Sequence, residues 1–319
     1  MRKSIVVTGG FGFVGRSVLR LLRDQGCEVL VVDIAEPEAG FLASVGSRHA
    51  RVDIRDAGAL AEVFQQVRPD AIIHLAAIHF IPLCERDPAL AVSTNTLGTV
   101  NLLNLAPAGA RFVMASSAAV YAPSPDLHAE DTSAIGPMDV YGLTKLDDER
   151  YVRYFAAQRQ LQAVNVRLFN VVGPGETNPH LLPDILAQVK AGRREIALGN
   201  LFPRRDYVHV DDAAAGFVAA ATRGEVASGT TETVNLGTSV QHSVVDAIKL
   251  LQEVSGVDLT VVEDASKLRK SDRPFLGADI SKIARTFGWK PQRTLRDALR
   301  EAWIEPRFSA DLKRTYGLA

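Results

Sequence analysis

Ile5-Val6-Val7-Thr8-Gly9-Gly10-Phe11-Gly12-Phe13-Val14-Gly15 is the stretch whose reading decides the fold. A short apolar run enters a glycine cluster, and an amphipathic stretch over 13–25 follows and stops at Gly26. The pattern predicts strand, glycine turn and helix. Gly9 permits the tight turn, Gly12 lets backbone approach a pyrophosphate, and Gly15 lets helix and strand pack closely. Phe13 and Val14 open the helix, whose dipole faces the phosphates. One such glycine alone would be an ordinary turn; the context carries the reading. Asp33 follows Gly15 by 18 positions, at the end of a second apolar run over 29–32. Its carboxylate is placed to accept from both adenosine ribose hydroxyls, with Ile34 beside it, and would repel a 2′-phosphate, so NAD is favoured over NADP.

Outward from this unit, apolar runs at 72–76, 112–115 and 164–169 alternate with helix-length amphipathic stretches. That rhythm predicts an α/β fold, a doubly wound parallel sheet of the Rossmann kind covered on both faces. Pro69 and Asp70 turn the chain into the fourth strand, and Pro88 opens a helix over 88–106. Beyond 170 the texture changes to Gly173, Pro174, Gly175, Asn178, Pro179 and Pro183. A smaller, discontinuous C-terminal α+β lobe is expected over 171–207 and 238–319. Residues 208–222 read as strand end plus helix and 231–236 as a strand, so about 208–237 return to the first domain of 1–170.

The 319 residues suit two domains. With 36 basic and 37 acidic residues and no basic run, nucleic-acid binding is not expected. Cys27 and Cys84 stand far apart without a CxxC or a histidine cluster, which leaves a disulfide framework or metal site nothing to build on. The first apolar run is too short for a signal or a membrane span, so a cytoplasmic protein without membrane contact is expected.

Tyr141 and Lys145 are four apart in a helix starting near Asp139, and their side chains share one face. A tyrosine pKa near 10 is too high for a base at neutral pH, but a nearby lysine charge and the positive end of bound NAD stabilise the phenolate. An isolated YxxxK is more often a surface contact. Ser116 and Ser117 end the strand at 112–115, on the carboxyl edge where open α/β sheets bind ligands, although Ser-Ser there is often only a turn.

Taken together these segments resemble the extended short-chain dehydrogenase/reductase family, in its NAD-dependent nucleotide-sugar epimerase and dehydratase branch, closest in motif to the UDP-glucose 4-epimerase-like members. The resemblance covers nearly the whole chain. It rests on TGGFGFVG, Asp53-Ile54, His74-Leu75-Ala76-Ala77, Asn95-Thr96-Leu97-Gly98-Thr99, SSAAVY from Ser116, YGLTK from Tyr141 and RLFNVVGPG from Arg167. It implies that Asp53 and Ile54 contact the adenine, Leu75, Ala76, Ala77, Asn95 and Ser116 the cofactor, and Phe169 the nicotinamide side. Ser117, Tyr141 and Lys145 would do the chemistry, Tyr141 and Lys145 also touching the cofactor. Relatives pair through helices matching 88–106 and 139–158, so a homodimer is implied.

The resemblance also places the substrate, a nucleotide-diphosphate sugar, on His79, Ser117, Asn170, His180, Leu181, Arg205, Arg269 and Asp272. Two arginines suit a diphosphate by bidentate donation, and Asp272 can accept from a ribose hydroxyl. Ala118 and Ala119 stand where 4,6-dehydratases of this family carry acidic residues. His79 stands where many galactose epimerases have a phosphate-contacting lysine, as a pocket wall or a chemical group. The run from Gly199 to Asp206 resembles GDP-sugar dehydratases and reductases instead. The leading expectation is an NAD-dependent C4 epimerase working through a 4-keto intermediate. Its alternatives are a 4-ketosugar reductase, a 4,6-dehydratase and an NAD-sensing binding protein. The nucleotide base stays open among UDP, GDP, CDP and dTDP.

Overall fold

Strands that are apolar on both faces are stable only inside a layered structure, and the first half of the chain is rich in them. The computed structural model describes residues 2–176, 180–265 and 273–318. In chain order its strands are β1 (Ser4–Thr8), β2 (Glu28–Asp33), β3 (Arg48–Arg51), β4 (Ala71–His74), β5 (Arg111–Ser117), β6 (Gln162–Leu168), β7 (Asn170–Val172), β8 (Glu195–Leu198), β9 (Arg204–His209), β10 (Thr230–Leu236), β11 (Gln241–Ser243), β12 (Thr260–Glu263) and β13 (Phe275–Leu276). Seven form one parallel sheet in the order β3-β2-β1-β4-β5-β6-β10. The order reverses between β1 and β4, and this switch point opens a crevice at the carboxyl ends of the strands. This is the doubly wound sheet the sequence predicts, and β10 returns to it as the 231–236 run suggested.

Each face of the sheet carries its own core. On one, Val18, Leu19 and Leu22 of helix Phe13–Asp24 meet Ala213, Phe217 and Ala220 of helix Val210–Thr222. On the other lie Leu60, Leu102, Leu103, Val152 and Ala156. A separate core joins Ile185, Leu186, Ile196, Leu198, Ile248, Leu251 and Leu299, and beside it β9 pairs with β7, β11 and β13 in a small sheet. The helix Ser281–Phe287, expected with this second unit, instead packs into the first core through Ile283, Phe287 and Trp289. Its reason is the alanine-rich helix Val210–Thr222, buried nearly all round and needing cover on its outer side. Trp289 supplies it, touching Gly216 and donating to the Asp212 carbonyl at 3.0 Å.

The helix expected over 88–106 is divided. Helix Pro88–Val92 runs into a π-helical turn, Ser93–Leu97, before helix Gly98–Leu105 continues. Such a turn widens the helix by one residue and redirects side chains, often at a functional site. Here Asn95 points inward and is fully buried.

Helix Val140–Arg159 is held to the sheet by charge as well as packing. Buried Arg167 of β6 donates to both oxygens of buried Glu149, at 2.9 and 2.8 Å. The Ser116 hydroxyl donates to the same carboxylate at 2.5 Å, and Arg167 also reaches the Tyr121 hydroxyl, which donates to Asn235. Burial alone would disfavour the guanidinium charge, but the bonds to Glu149 raise the Arg167 pKa. Glu149→Ala leaves a buried arginine unpaired and is expected to cost about 3–5 kcal/mol, read as a lower urea midpoint at unchanged slope.

Candidate active site

The glycine turn has the shape its residues demanded. Gly9 sits at φ +69°, and a Cβ there would lie 2.7 Å from the Ala76 amide nitrogen; a Cβ on Gly15 would lie 2.3 Å from the Gly9 carbonyl oxygen. Gly12 is the N-cap of helix Phe13–Asp24, which has neither a side-chain cap nor an acidic residue in its first turn. The positive end of this helix, with Phe13 and Val14, is therefore uncompensated and suited to a phosphate. At the end of β2, half-buried Asp33 accepts from the amides of Phe11 and Ala35, one on each oxygen at 3.0 Å. Each oxygen retains a lone pair for a ribose hydroxyl. These features fit a dinucleotide.

The other cofactor positions separate into those that face outward and those that hold the frame. Ile34 is exposed, and Asp53 is paired with Arg55, whose guanidinium holds its carboxyl below the usual range. The Ile54 side chain is buried against Gly98, and Phe169 is buried beside Tyr121 and Leu276. Ser116, expected at the cofactor, has its side chain turned the other way, into Glu149. Alternation along β5 is the reason: neighbouring side chains take opposite faces, and Ser117 takes the face that Ser116 cannot. Asn95 likewise spends its side chain on the frame. Its Oδ1 accepts from the Ile78 amide at 2.7 Å, and its Nδ2 donates to the Ile78 carbonyl and to Thr144.

A relay that sequence reading did not anticipate fixes Leu75, Ala76 and Ala77 after β4. The Thr99 hydroxyl donates to the Asn95 carbonyl at 2.6 Å, so its oxygen accepts from His74 Nε2 at 2.9 Å. His74 Nδ1 then accepts from the Thr8 hydroxyl at 2.7 Å, and Thr8 accepts from the Ala76 amide at 3.3 Å. This assignment requires the neutral Nε2–H tautomer. Burial, helped by the Lys145 charge, pulls the His74 pKa down to about 3 and maintains that form. A histidine ending an apolar strand was the available signal.

Ser117, Tyr141 and Lys145, the residues the sequence reading expects to do the chemistry, converge beside this crevice. Asp139 caps helix Val140–Arg159 by accepting from Gly142 at 2.7 Å. Tyr141 is half-buried in the first turn, beside the Ser117 hydroxyl. Ser117 also accepts from the Ala119 amide at 3.1 Å, and Lys145 lies one turn along at 2% exposure. Surrounding protein pushes the Tyr141 pKa up, opposed by Ser117 and reinforced by Cys84, Asp139 and Asp148. Arg273, not foreseen, donates to the Ala119 carbonyl at 3.0 Å and pairs with Asp139 at 3.5 Å, linking the chain just before β13 to the helix cap.

His79 opens to solvent at the same crevice yet is ringed by protein, and its pKa falls to about 4 through desolvation and the charges of His180 and Lys145. The His180 ring stands 5.9 Å from His79, and its Nδ1 is 2.7 Å from buried Glu176, a partner that the i, i+4 spacing could have suggested. Leu181 follows at the start of helix Leu181–Lys190. Asn170 is exposed on β7, which pairs with β9 two residues from Arg205. Between them Asp206 is structural, accepting from Thr238, Ser239 and Ala278. Arg269 and Asp272 lie outside the described residues. Among those described, His209, Asp211 and Glu301 also cluster, but His209 accepts the Asp211 amide on Nδ1 and faces Glu301 with Nε2, so its ring is already used. No described helix is long and apolar enough to cross a membrane.

Residues 5–237 match the family model described as the NAD dependent epimerase/dehydratase family. The chain belongs to this family. Its cofactor is NAD, and it falls in the nucleotide-sugar epimerase branch of the extended short-chain dehydrogenase/reductases. It is 30% identical to UDP-glucose 4-epimerase 2 of Arabidopsis thaliana, over 95% of either chain. The UDP-glucose 4-epimerase of Stenotrophomonas maltophila, solved with NAD and formylated UDP-arabinopyranose, is similar at a TM-score of 0.85, 27% identity and full coverage of both chains. The UDP-glucuronic acid 4-epimerase of Bacillus cereus, solved with UDP-glucuronic acid and NAD, has a TM-score of 0.85 and 26% identity over 98% of this chain and 100% of its own. For this family member, Asp33→Ser should narrow the preference for NADH over NADPH by on the order of tenfold, equivalent to ~1.4 kcal/mol, in fluorescence titrations of both.

Proposed function

We propose that the protein epimerises a nucleotide-diphosphate sugar at C4, with Tyr141 as the base. The observation that carries this reading is the placement of the Ser117 and Tyr141 side chains beside each other, with Lys145 one turn away, at the carboxyl edge of β5. Ser117 holds the C4 oxygen while Tyr141 removes its proton. Bound NAD supplies the hydride acceptor and, after the 4-keto sugar turns over, the hydride donor. Tyr141 returns the proton to the oxygen on its new face, so there is no net redox change. The UDP-linked ligands of the similar Stenotrophomonas and Bacillus enzymes support a uridine diphosphate sugar, and buried Ala118 and Ala119 offer no acid or base for dehydration.

In this reading the second unit, over 171–207 and 238–319, grips the nucleotide. Arg205 and Asn170 reach it from neighbouring strands, and His79, His180 and Leu181 line the sugar side. Free Cys27 and Cys84 suit a cytoplasmic setting. The protein works as a homodimer. Exposed Val92 and Leu97, with Leu143, Tyr151 and Tyr154 along one face of helix Val140–Arg159, offer the apolar surface for it.

Proton NMR of UDP-hexoses and UDP-hexuronates incubated with purified protein tests the reaction. A C4 epimer should appear at an equilibrium ratio, and Tyr141→Phe should lower kcat by about 10²–10⁴-fold while keeping NAD bound. No conversion until a 4-ketosugar and reduced cofactor are added would replace epimerase with reductase. Because the base must be deprotonated, kcat should fall as pH drops through the Tyr141 pKa of the loaded enzyme. In sedimentation, the wild type should run as a dimer and Tyr154→Asp as a monomer.

A further inference from the structure

Asp148 is a buried carboxylate to which the reaction above gives no task. It stands one turn past Lys145 on helix Val140–Arg159, with 0% of its side chain exposed against 2% for the lysine. Its Oδ2 lies 3.3 Å from the Lys145 Nζ, and Thr96 of the π-helical turn stands near enough to favour the charged carboxylate. Its Oδ1 is buried without a partner. Placing a carboxylate here is costly, and a half-satisfied one more so, whereas an apolar residue would pack the helix at less expense. The helix therefore keeps a charge where packing alone would not.

The groups facing Asp148, Lys145 and Tyr141 are few. His74 comes from β4 and His79 from the loop after it, both with lowered pKa values; Cys84 comes from helix Ile81–Arg86, with a raised one. Glu85 accepts from the Val140 amide, Asp139 is held by Arg273, and Glu149 is taken by Arg167 of β6. Asp147 points outward to Arg150. Arg111 and Glu232 lie toward the far, amino-terminal ends of β5 and β10. Helix Pro88–Val92, the π-helical turn and helix Gly98–Leu105 bring no charged side chain. Among these groups, Asp148 is the counter-charge in contact with Lys145.

We propose that Asp148 is a positioning residue that holds the Lys145 ammonium and balances its charge, leaving Tyr141 un-ionised until the positive charge of the oxidised cofactor enters the site. This rests on Tyr141 being the base. Seen from Tyr141, a tight ammonium–carboxylate pair is close to neutral, so the lysine alone does not release the phenolic proton. The proton then leaves Tyr141 when the site gains positive charge and is held when that charge is lost. An enzyme that must give the same proton back needs this order of events. Burial raises the Asp148 carboxyl to about 6, opposed by Lys145 and Thr96, consistent with a counter-charge kept at a cost.

The test is tyrosinate absorbance against pH, with the same titration of Tyr141→Phe subtracted to remove the other tyrosines, in enzyme stripped of and loaded with NAD. Wild-type Tyr141 should titrate above the ordinary tyrosine range when stripped and fall on loading. Asp148→Asn should lower the titration by about one pH unit in both forms and move the acidic limb of kcat equally, with KM unchanged. Asp148→Glu, which restores the charge, should recover the wild-type curves. An Asn variant that titrates with the wild type, or higher, overturns the proposal. If that variant does not fold, the stripped wild type decides: Tyr141 ionising at or below the ordinary range refutes the balance. Tyr141→Phe with full turnover would instead remove the base assignment, while the titration would still report on Asp148.

Discussion

The buried pair of Glu149 and Arg167 is the interaction on which the rest of the site depends. It joins the helix bearing Tyr141 and Lys145 to β6, and through Ser116 to β5, at the edge where Ser117 turns toward the crevice. A buried ion pair with both partners fully bonded adds little net stability compared with a well-packed apolar pair, but losing one partner is severe. Its value lies in registry. Rotating the helix by one residue would strand two charges, so Tyr141 is presented to Ser117 in one orientation only.

A second set of polar groups does for the cofactor side what this pair does for the catalytic side. Thr8, His74, Thr99 and Asn95 pass hydrogen bonds from β1 through β4 to the π-helical turn, and Asn95 seizes both backbone groups of Ile78. The loop after β4 must leave room for Gly9, whose backbone lies against Ala76. A neutral histidine suits this role, since its two ring nitrogens act as one donor and one acceptor and fix the direction of the chain.

Charge is handled differently on the two sides. The helix N-terminus behind the glycine turn is left without an acidic cap, and Asp33 stands at the end of β2 beside it, an arrangement of donors suited to phosphates and an acceptor suited to a ribose. Around Tyr141 the protein packs opposite charges tightly: Lys145 with Asp148, Asp139 with Arg273 and Glu149 with Arg167. The surroundings of Tyr141 are thus close to neutral before any ligand arrives. Whatever charge a ligand brings acts there with little screening by water.

The parallel sheet, the glycine turn, Asp33 and the Tyr141/Lys145 face were legible in the amino-acid sequence because each is a local matter. Side-chain periodicity, φ requirements and spacing along one helix are properties of a few neighbouring residues. What the sequence could not show is which polar groups lose their water. Ser116 and Ser117 both read as site residues, one for the cofactor and one for the chemistry, yet strand alternation sends Ser116 to Glu149 and Ser117 toward Tyr141. Asn95 read as a ligand contact and became a brace, because the extra residue of a π-helical turn aims it inward. Glu149 and Arg167 meet across 18 residues, and Arg273 reaches Asp139 across 134. Such partnerships follow from burial, and burial exists only once the layers have packed.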